Sequence, residues 1–380
     1  MNQDQLKRHQ RLQAGRFEDP LTPARDVGAS ARFARRGLLA RAGVIVGAGA
    51  WSALFGRAAH AQASRELVLS NWGGPAVQAL TEAFGGPLKD KGVKLSIDGS
   101  GPTAGKIRNM VESNHVVWDI CDSGLGTTIE LGKLGLLEPI DYGVVDKSKI
   151  LPGYALQFGV AGYTFSSVLA WDSSRLSSAP STWADFWDVG RFPGKRLLNR
   201  NIQGVLEAAL MADGVDPAKL YPIDVDRALR KLKQLKPHLL YWNSAADSQR
   251  MLRDSEVTMG MIWSTRATLL AAETKGRIAW TFNQGILQPG MYVVPKGSPN
   301  AATAMRTLAT MQEPAGQLQI FRSMGYGPSN PAAAAQIAVT EQRNNPTFSA
   351  NLAVQVPMNP DWYGEYQSKA YQLYLETISF

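Results

Sequence analysis

The chain is poor in the residues that carry most catalytic chemistry. Its 380 residues hold a single cysteine, Cys121, and four histidines. One cysteine cannot close an intramolecular disulfide, and it cannot build a thiolate metal cluster. Two of the histidines, His9 and His60, fall in the first 61 residues. His115 and His238 remain, each just past a predicted helix, where an imidazole serves the last carbonyls more readily than it serves catalysis. No HExxH pair, GxSxG elbow, Walker loop or complete GxGxxG occurs. Neither a metal nor a cofactor is expected, and a non-enzymatic role is favoured. Long apolar runs are lacking as well. The run over 42–55 is short and rich in Gly and Ala, too little for a membrane span.

What surrounds that run is informative. Arg35-Arg36 precede it, and Arg57 followed by Ala59-His60-Ala61 makes a small-x-small exit of the kind a signal peptidase cleaves. Residues 1–61 therefore read as a removable export leader, with the mature chain starting near Gln62 in a bacterial periplasm. The arginine pair resembles a twin-arginine signal and departs from it at Ala34, where Ser or Thr is usual. Ten of the 40 basic and four of the 32 acidic residues lie in the leader, so the rest carries a net charge of about +2 instead of +8. The basic character belongs mostly to the leader and gives no case for nucleic acid. A soluble monomer stabilised by burial is expected.

Beyond the leader, short apolar runs alternate with helical patterns. Strands are predicted at 67–70, 93–97, 116–121, 196–198, 239–242, 257–262 and 278–282, and after 291–295 the chain reads as mostly helical. Helices are predicted at 76–84, 104–112, 205–212, 224–235 and 361–377. This alternation argues for an α/β fold with largely parallel sheets. No Gly/Ser tether divides the chain, so two lobes joined by crossing strands fit better than two beads on a linker. Ligands of such sheets bind beyond the carboxyl ends of strands, at helix N-termini. Four loops stand there: Trp72-Gly73-Gly74, 122–126, 199–203 and 263–266.

Several residues in those loops carry chemistry. Trp72 and Trp263 each end a strand beside small or polar residues, and such an aromatic can wall a ligand at low entropic cost. Trp183 and Trp187, four apart on one helical face, read as packing. Arg200, Asn201 and Arg266 offer polar groups, and an arginine can hold a carboxylate through two parallel hydrogen bonds. Asp122 has two readings, a partner for an amine or a cap on the following helix, with the cap preferred. Ser123-Gly124-Leu125-Gly126 can cradle an anion or serve as a plain connection.

Six segments in one order carry a resemblance: Ser70-Asn71-Trp72-Gly73, Trp118-Asp119-Ile120, Leu136-Leu137-Glu138-Pro139-Ile140-Asp141, Ser181-Thr182-Trp183-Ala184-Asp185-Phe186-Trp187, Gly260-Met261-Ile262-Trp263 and Gly325-Tyr326-Gly327-Pro328-Ser329-Asn330. Together they resemble the spermidine/putrescine-binding proteins of ABC importers and their wider extracellular solute-binding family. The resemblance implies a two-lobed clamshell, each lobe a mostly parallel sheet flanked by helices, with two crossover strands. It implies crossings near Tyr163 and Gly290, one lobe of 62–163 plus 290–334, and another of 164–289 plus 335–380. It also implies that the partner is the membrane permease of an importer.

On this pattern Trp72, Trp263 and Tyr326 match aromatic positions lining the polyamine pocket. The carboxylates expected for a polycation are absent; Asn201, Gly204 and Gly290 stand in their places, and Gln288 replaces another aromatic. Gly124-Leu125-Gly126 replaces a tyrosine-bearing loop. Burying a polycation without carboxylates costs several kcal/mol per ion. The expected ligand is therefore a small organic solute with a carboxylate, or with a carboxylate and an amine. The alternatives are a true putrescine or spermidine receptor, a chemosensory receptor, and a bilobed transferase needing a reactive cysteine. Cys121, inside an apolar strand, suits the last one poorly.

Overall fold

The computed structural model describes residues 65–379; the leader, its arginine pair, the cleavage motif and Gln62 lie outside the described residues. Eleven strands form one sheet. β1 (Arg65–Ser70), β2 (Val93–Asp98), β3 (Ile120–Gly124), β4 (Ala155–Leu156) and β5 (Gly159–Asp172) come first. β6 (Arg196–Asn199), β7 (Leu239–Trp242), β8 (Met259–Trp263), β9 (Ile278–Val293), β10 (Gly327–Pro328) and β11 (Val356–Pro357) follow.

The spatial order is β2-β1-β3-β9-β5-β8-β6-β7, with β4 and β10 on β5 and β11 on β9. At one end β1 runs parallel to β2 and β3; at the other β6 runs parallel to β7 and β8. Between these sets lie β5 and β9, antiparallel to each other and to their neighbours β8 and β3. The result is a two-lobed mixed α/β fold, each parallel set flanked by helices and the two sets bridged by long strands.

The bridge is where the sequence reading fell short. β5 escaped it entirely, because every residue except Phe165 is buried. A strand covered on both faces shows no polar–apolar alternation to read. The strand predicted at 278–282 is only the start of β9, which runs on to Val293 through Gln284, Gln288 and Pro289, residues that break the apolar pattern. The strand predicted from 116 begins at Ile120, and Val117 is half exposed.

Helix Pro75–Asp90 packs on β2 and on helix Pro314–Met324. Helix Val205–Ala212 is buried at every position but its last, against helices Trp183–Trp187 and Val225–Leu235. Trp183 and Trp187 are packing residues. Trp183 is fully buried with its indole N–H on the Gln284 carbonyl at 2.8 Å, and a Thr182/Asp185 capping box starts its helix. The last helix, Pro360–Ser379, touches both helix Leu125–Lys133 and helix Val225–Leu235. Among the described residues no helix is long and apolar enough to cross a membrane.

Candidate binding site

β1, β3, β6 and β8 each lead into a helix at their carboxyl ends: Pro75–Asp90, Leu125–Lys133, Val205–Ala212 and Ser264–Glu273. Free N–H groups and partial positive charge therefore gather where these strands stop. The turn after β1 demands glycine. Gly73 and Gly74 have φ of 77° and 64°, and a Cβ on Gly73 would stand 2.6 Å from the Gly99 carbonyl oxygen. Trp72, just ahead of that turn, is 51% exposed and lies against Gly101.

Asp122 does not cap a helix. The N-cap of helix Leu125–Lys133 is Gly124, with no side-chain bond, because Asp122 turns the other way. Its carboxylate accepts Asn71 Nδ2 at 2.7 Å and the Tyr163 hydroxyl at 2.9 and 2.8 Å. It is 1% exposed and has no ion pair among the described residues. Burial pushes its pKa up to about 7, against the pull of Tyr163, Asn71, the Ser123 backbone and Trp72.

An aromatic platform stands beside this carboxylate. β10 pairs with β5 so that Pro328 faces Tyr163, and this sets the neighbouring Tyr326 ring 4.2 Å from the Tyr163 ring. The loop is fixed from behind by a buried amide network: Gln317 donates to Ser329 at 3.1 Å, and Asn330 donates to the Gln312 carbonyl at 2.8 Å. Phe165, two residues along β5, meets Trp263 edge-on at 5.5 Å, and Trp263 in turn meets Trp242 at 5.3 Å.

The two arginines separate. Arg266 sits not in a loop but in the first turn of helix Ser264–Glu273; it is 7% exposed, makes no ion pair among the described residues, and its Nε has no acceptor. It lies close enough to Tyr326 to oppose the burial that pushes that phenol up to about 12. Arg200 is exposed, its charge felt by Tyr241 and Tyr374 instead. Asn201 is exposed too and organises its own turn, accepting from the Gln203 amide at 3.3 Å. Gln288 is buried in β9 opposite Phe165, its amide donating to Ser167 Oγ at 2.6 Å, so it braces the bridge.

The glycines after β3 hold no anion cradle that is free to fill. A Cβ on Gly124 would come within 2.6 Å of Gln203 Nε2, and one on Gly126 would collide with the Gln367 side chain. Behind Gln203, the Gly204 amide donates to the Tyr363 hydroxyl at 3.2 Å, and that hydroxyl donates to Glu207 at 2.8 Å. Glu207 is fully buried and also accepts from Tyr221 at 2.7 Å; burial pushes its pKa up, against those two bonds. Asn71, Tyr163, Gln203, Glu207, Tyr363 and Gln367 were missed from sequence. The one local signal was Tyr163-Thr164-Phe165, an aromatic pair at the expected crossing. Among the described residues no cluster of His, Cys, Asp or Glu is placed to hold a metal.

The bacterial extracellular solute-binding protein family matches residues 76–347, most of the chain. The chain belongs to this family. It is 34% identical over 317 residues to the gamma-aminobutyric acid-binding protein of Pseudomonas aeruginosa, covering 78% of this chain and 86% of that one. It is 22% identical over 333 residues to the spermidine/putrescine-binding periplasmic protein of Escherichia coli, covering 84% and 93%. Among solved structures, an ABC transporter substrate-binding protein from Bradyrhizobium japonicum USDA 110 superposes with a TM-score of 0.78 at 35% identity, covering 83% of this chain and 99% of that one.

This solute-binding protein therefore serves an ABC transporter, taking up a small molecule outside the cytoplasm for delivery to a membrane permease. The polyamine resemblance stands as kinship, with an amino-acid-binding relative at higher identity. Cys121 is buried within β3, and burial raises its thiol well above the usual range, which leaves it a poor nucleophile.

Proposed function

We propose that this protein captures a short amino carboxylate between its lobes. The acid end lies on Arg266, and the ammonium end lies against the rings of Trp72, Tyr163 and Tyr326, with Asp122 behind them as counter-charge. The observation that carries this reading is Arg266, an arginine 7% exposed with no ion pair among the described residues. A buried guanidinium without a carboxylate is costly, and a ligand that supplies one recovers that cost. The Pseudomonas relative, named for gamma-aminobutyric acid, supports the same ligand class.

In this reading one lobe spans 62–163 plus 290–334, the other 164–289 plus 335–380, and closure brings their contacts together. The protein acts as a monomer without catalysis, exported by a cleavable leader of twin-arginine type. A polyamine receptor is the second reading. Asp122 favours it, since an unpaired buried carboxylate welcomes a cation; Arg266 opposes it. Calorimetry with gamma-aminobutyric acid, putrescine and spermidine decides between them. Binding of the amino acid alone is expected, and tight binding of either polyamine would overturn the charge assignment.

A further inference from the structure

The space beyond β3 is filled by two amides. Gly124 stands in register with Gly290, and Gly290 with Tyr163, so this obstruction is one strand away from the aromatic platform. Gln203 reaches over Gly124 from the loop after β6, and Gln367 reaches over Gly126 from the last helix. Any side chain larger than hydrogen at either glycine would displace them. Both amides are held by one scaffold. Gln203 precedes Gly204, whose N–H is bound by Tyr363, and Gln367 follows Tyr363 by one helical turn. Tyr363 is itself anchored by the buried Glu207, and Tyr374 further along the helix donates to the Asn199 carbonyl at 2.6 Å. The Gln367 Oε1 atom is buried without a hydrogen-bond partner, a polar atom left facing this space. Trp72, by contrast, stands 51% exposed.

We propose that Gln203 and Gln367 form a stop at one end of the cleft and set the length of solute the protein accepts. The inference rests on the reading that the solute lies across the Tyr163–Tyr326 platform. A chain that fits between platform and stop is enclosed, whereas each added methylene must push an amide off its glycine. The stop is polar, so an apolar tail gains nothing by reaching it. Gly124-Leu125-Gly126 is then a specificity feature, because only glycine leaves room for side chains from across the cleft.

The test uses calorimetry on the parent, Gln203→Ala and Gln367→Ala. The probes are three straight-chain series of graded length: ω-amino acids, α,ω-dicarboxylates and α,ω-diamines. In the series that binds, the optimum should shift to longer chains in one or both variants, with the long-to-short affinity ratio rising about tenfold. Melting temperatures near that of the parent show that the variants fold. A length optimum unchanged in both folded variants would overturn the stop. Should the parent prefer diamines, the charge assignment fails, while the shift in length still reports on Gln203 and Gln367.

Discussion

The Tyr163 hydroxyl donates to the Asp122 carboxylate, 2.9 and 2.8 Å from its two oxygens, reaching from the long bridging strand β5 past β9 to β3. Asn71 completes the set from the end of β1. Three segments thus converge on one buried carboxylate with no cationic partner among the described residues. Such a group is held by neutral donors and waits, energetically, for a positive charge.

The stability of the ligand-free protein should therefore fall as pH rises. The Asp122 carboxyl titrates near 7 when folded and near 3.8 otherwise. A raised carboxyl pKa means its stabilising share is full below about pH 4 and is lost as pH climbs through 7. Asp122→Asn removes this term and keeps the shape. Its stability relative to the parent should improve between pH 5 and pH 8, by about 2–3 kcal/mol. Urea midpoints at both pH values check this, and a parent-to-variant difference that stays constant would count against it.

Binding of an ammonium-bearing ligand should move the opposite way. The ligand needs Asp122 ionised, so affinity should rise from pH 6 to pH 8 and binding near neutrality should release a proton. Calorimetry in two buffers of different ionisation heat measures that proton directly. In Asp122→Asn the pH dependence should vanish and the affinity should drop; equal proton release by parent and variant would assign the titration elsewhere.

How much of this was legible beforehand follows from where each residue sits. Trp72, Trp263 and Arg266 were picked as candidates because they lie where a strand gives way to a helix, and such positions announce themselves in a pattern of apolar runs; Tyr326 was picked by the family resemblance. Tyr163 was located only as a crossing, since β5 is buried on both faces and presents no alternation. Gln203 lay in the 199–203 loop but nothing singled it out there, and Gln367 and Tyr363 have no local signature at all. They matter because the last helix returns to the ends of β3 and β6, a contact more than 150 residues apart in sequence for Tyr363 and Gly204. The role of Asp122 was misjudged for a related reason. Its partner Asn71 lies 51 residues away, and a cap is what the local sequence alone offers.

Replacement of Arg266 should separate the two arginines. Arg266→Ala removes a buried donor set beside Tyr326 and should weaken binding of an amino carboxylate by about 2–5 kcal/mol. Arg266→Lys should recover only part of this, because an ammonium lacks the planar fork. Arg200→Ala, at an exposed position near Tyr241 and Tyr374, should change affinity by less than about 1 kcal/mol. Calorimetry on the three variants ranks them, and a larger loss at Arg200 than at Arg266 would move the anchor to the loop after β6.

Gly126→Ala should hold the lobes apart. The added methyl would occupy the place of the Gln367 side chain, which the last helix presents from above. That helix cannot yield freely. Tyr363 ties it to Gly204 and Glu207, and Tyr374 ties it to the Asn199 carbonyl at 2.6 Å. The least costly relief is separation of the Leu125–Lys133 helix from the final one, which opens the cleft. At saturating ligand the variant should keep a larger radius of gyration in solution scattering than the parent, with weaker affinity. Gln367→Ala, which clears the space, should restore both when combined with Gly126→Ala, a coupling of the kind contacting residues show. If the double variant stays as open as Gly126→Ala alone, the methyl acts on the glycine's own helix and not on the contact between the two.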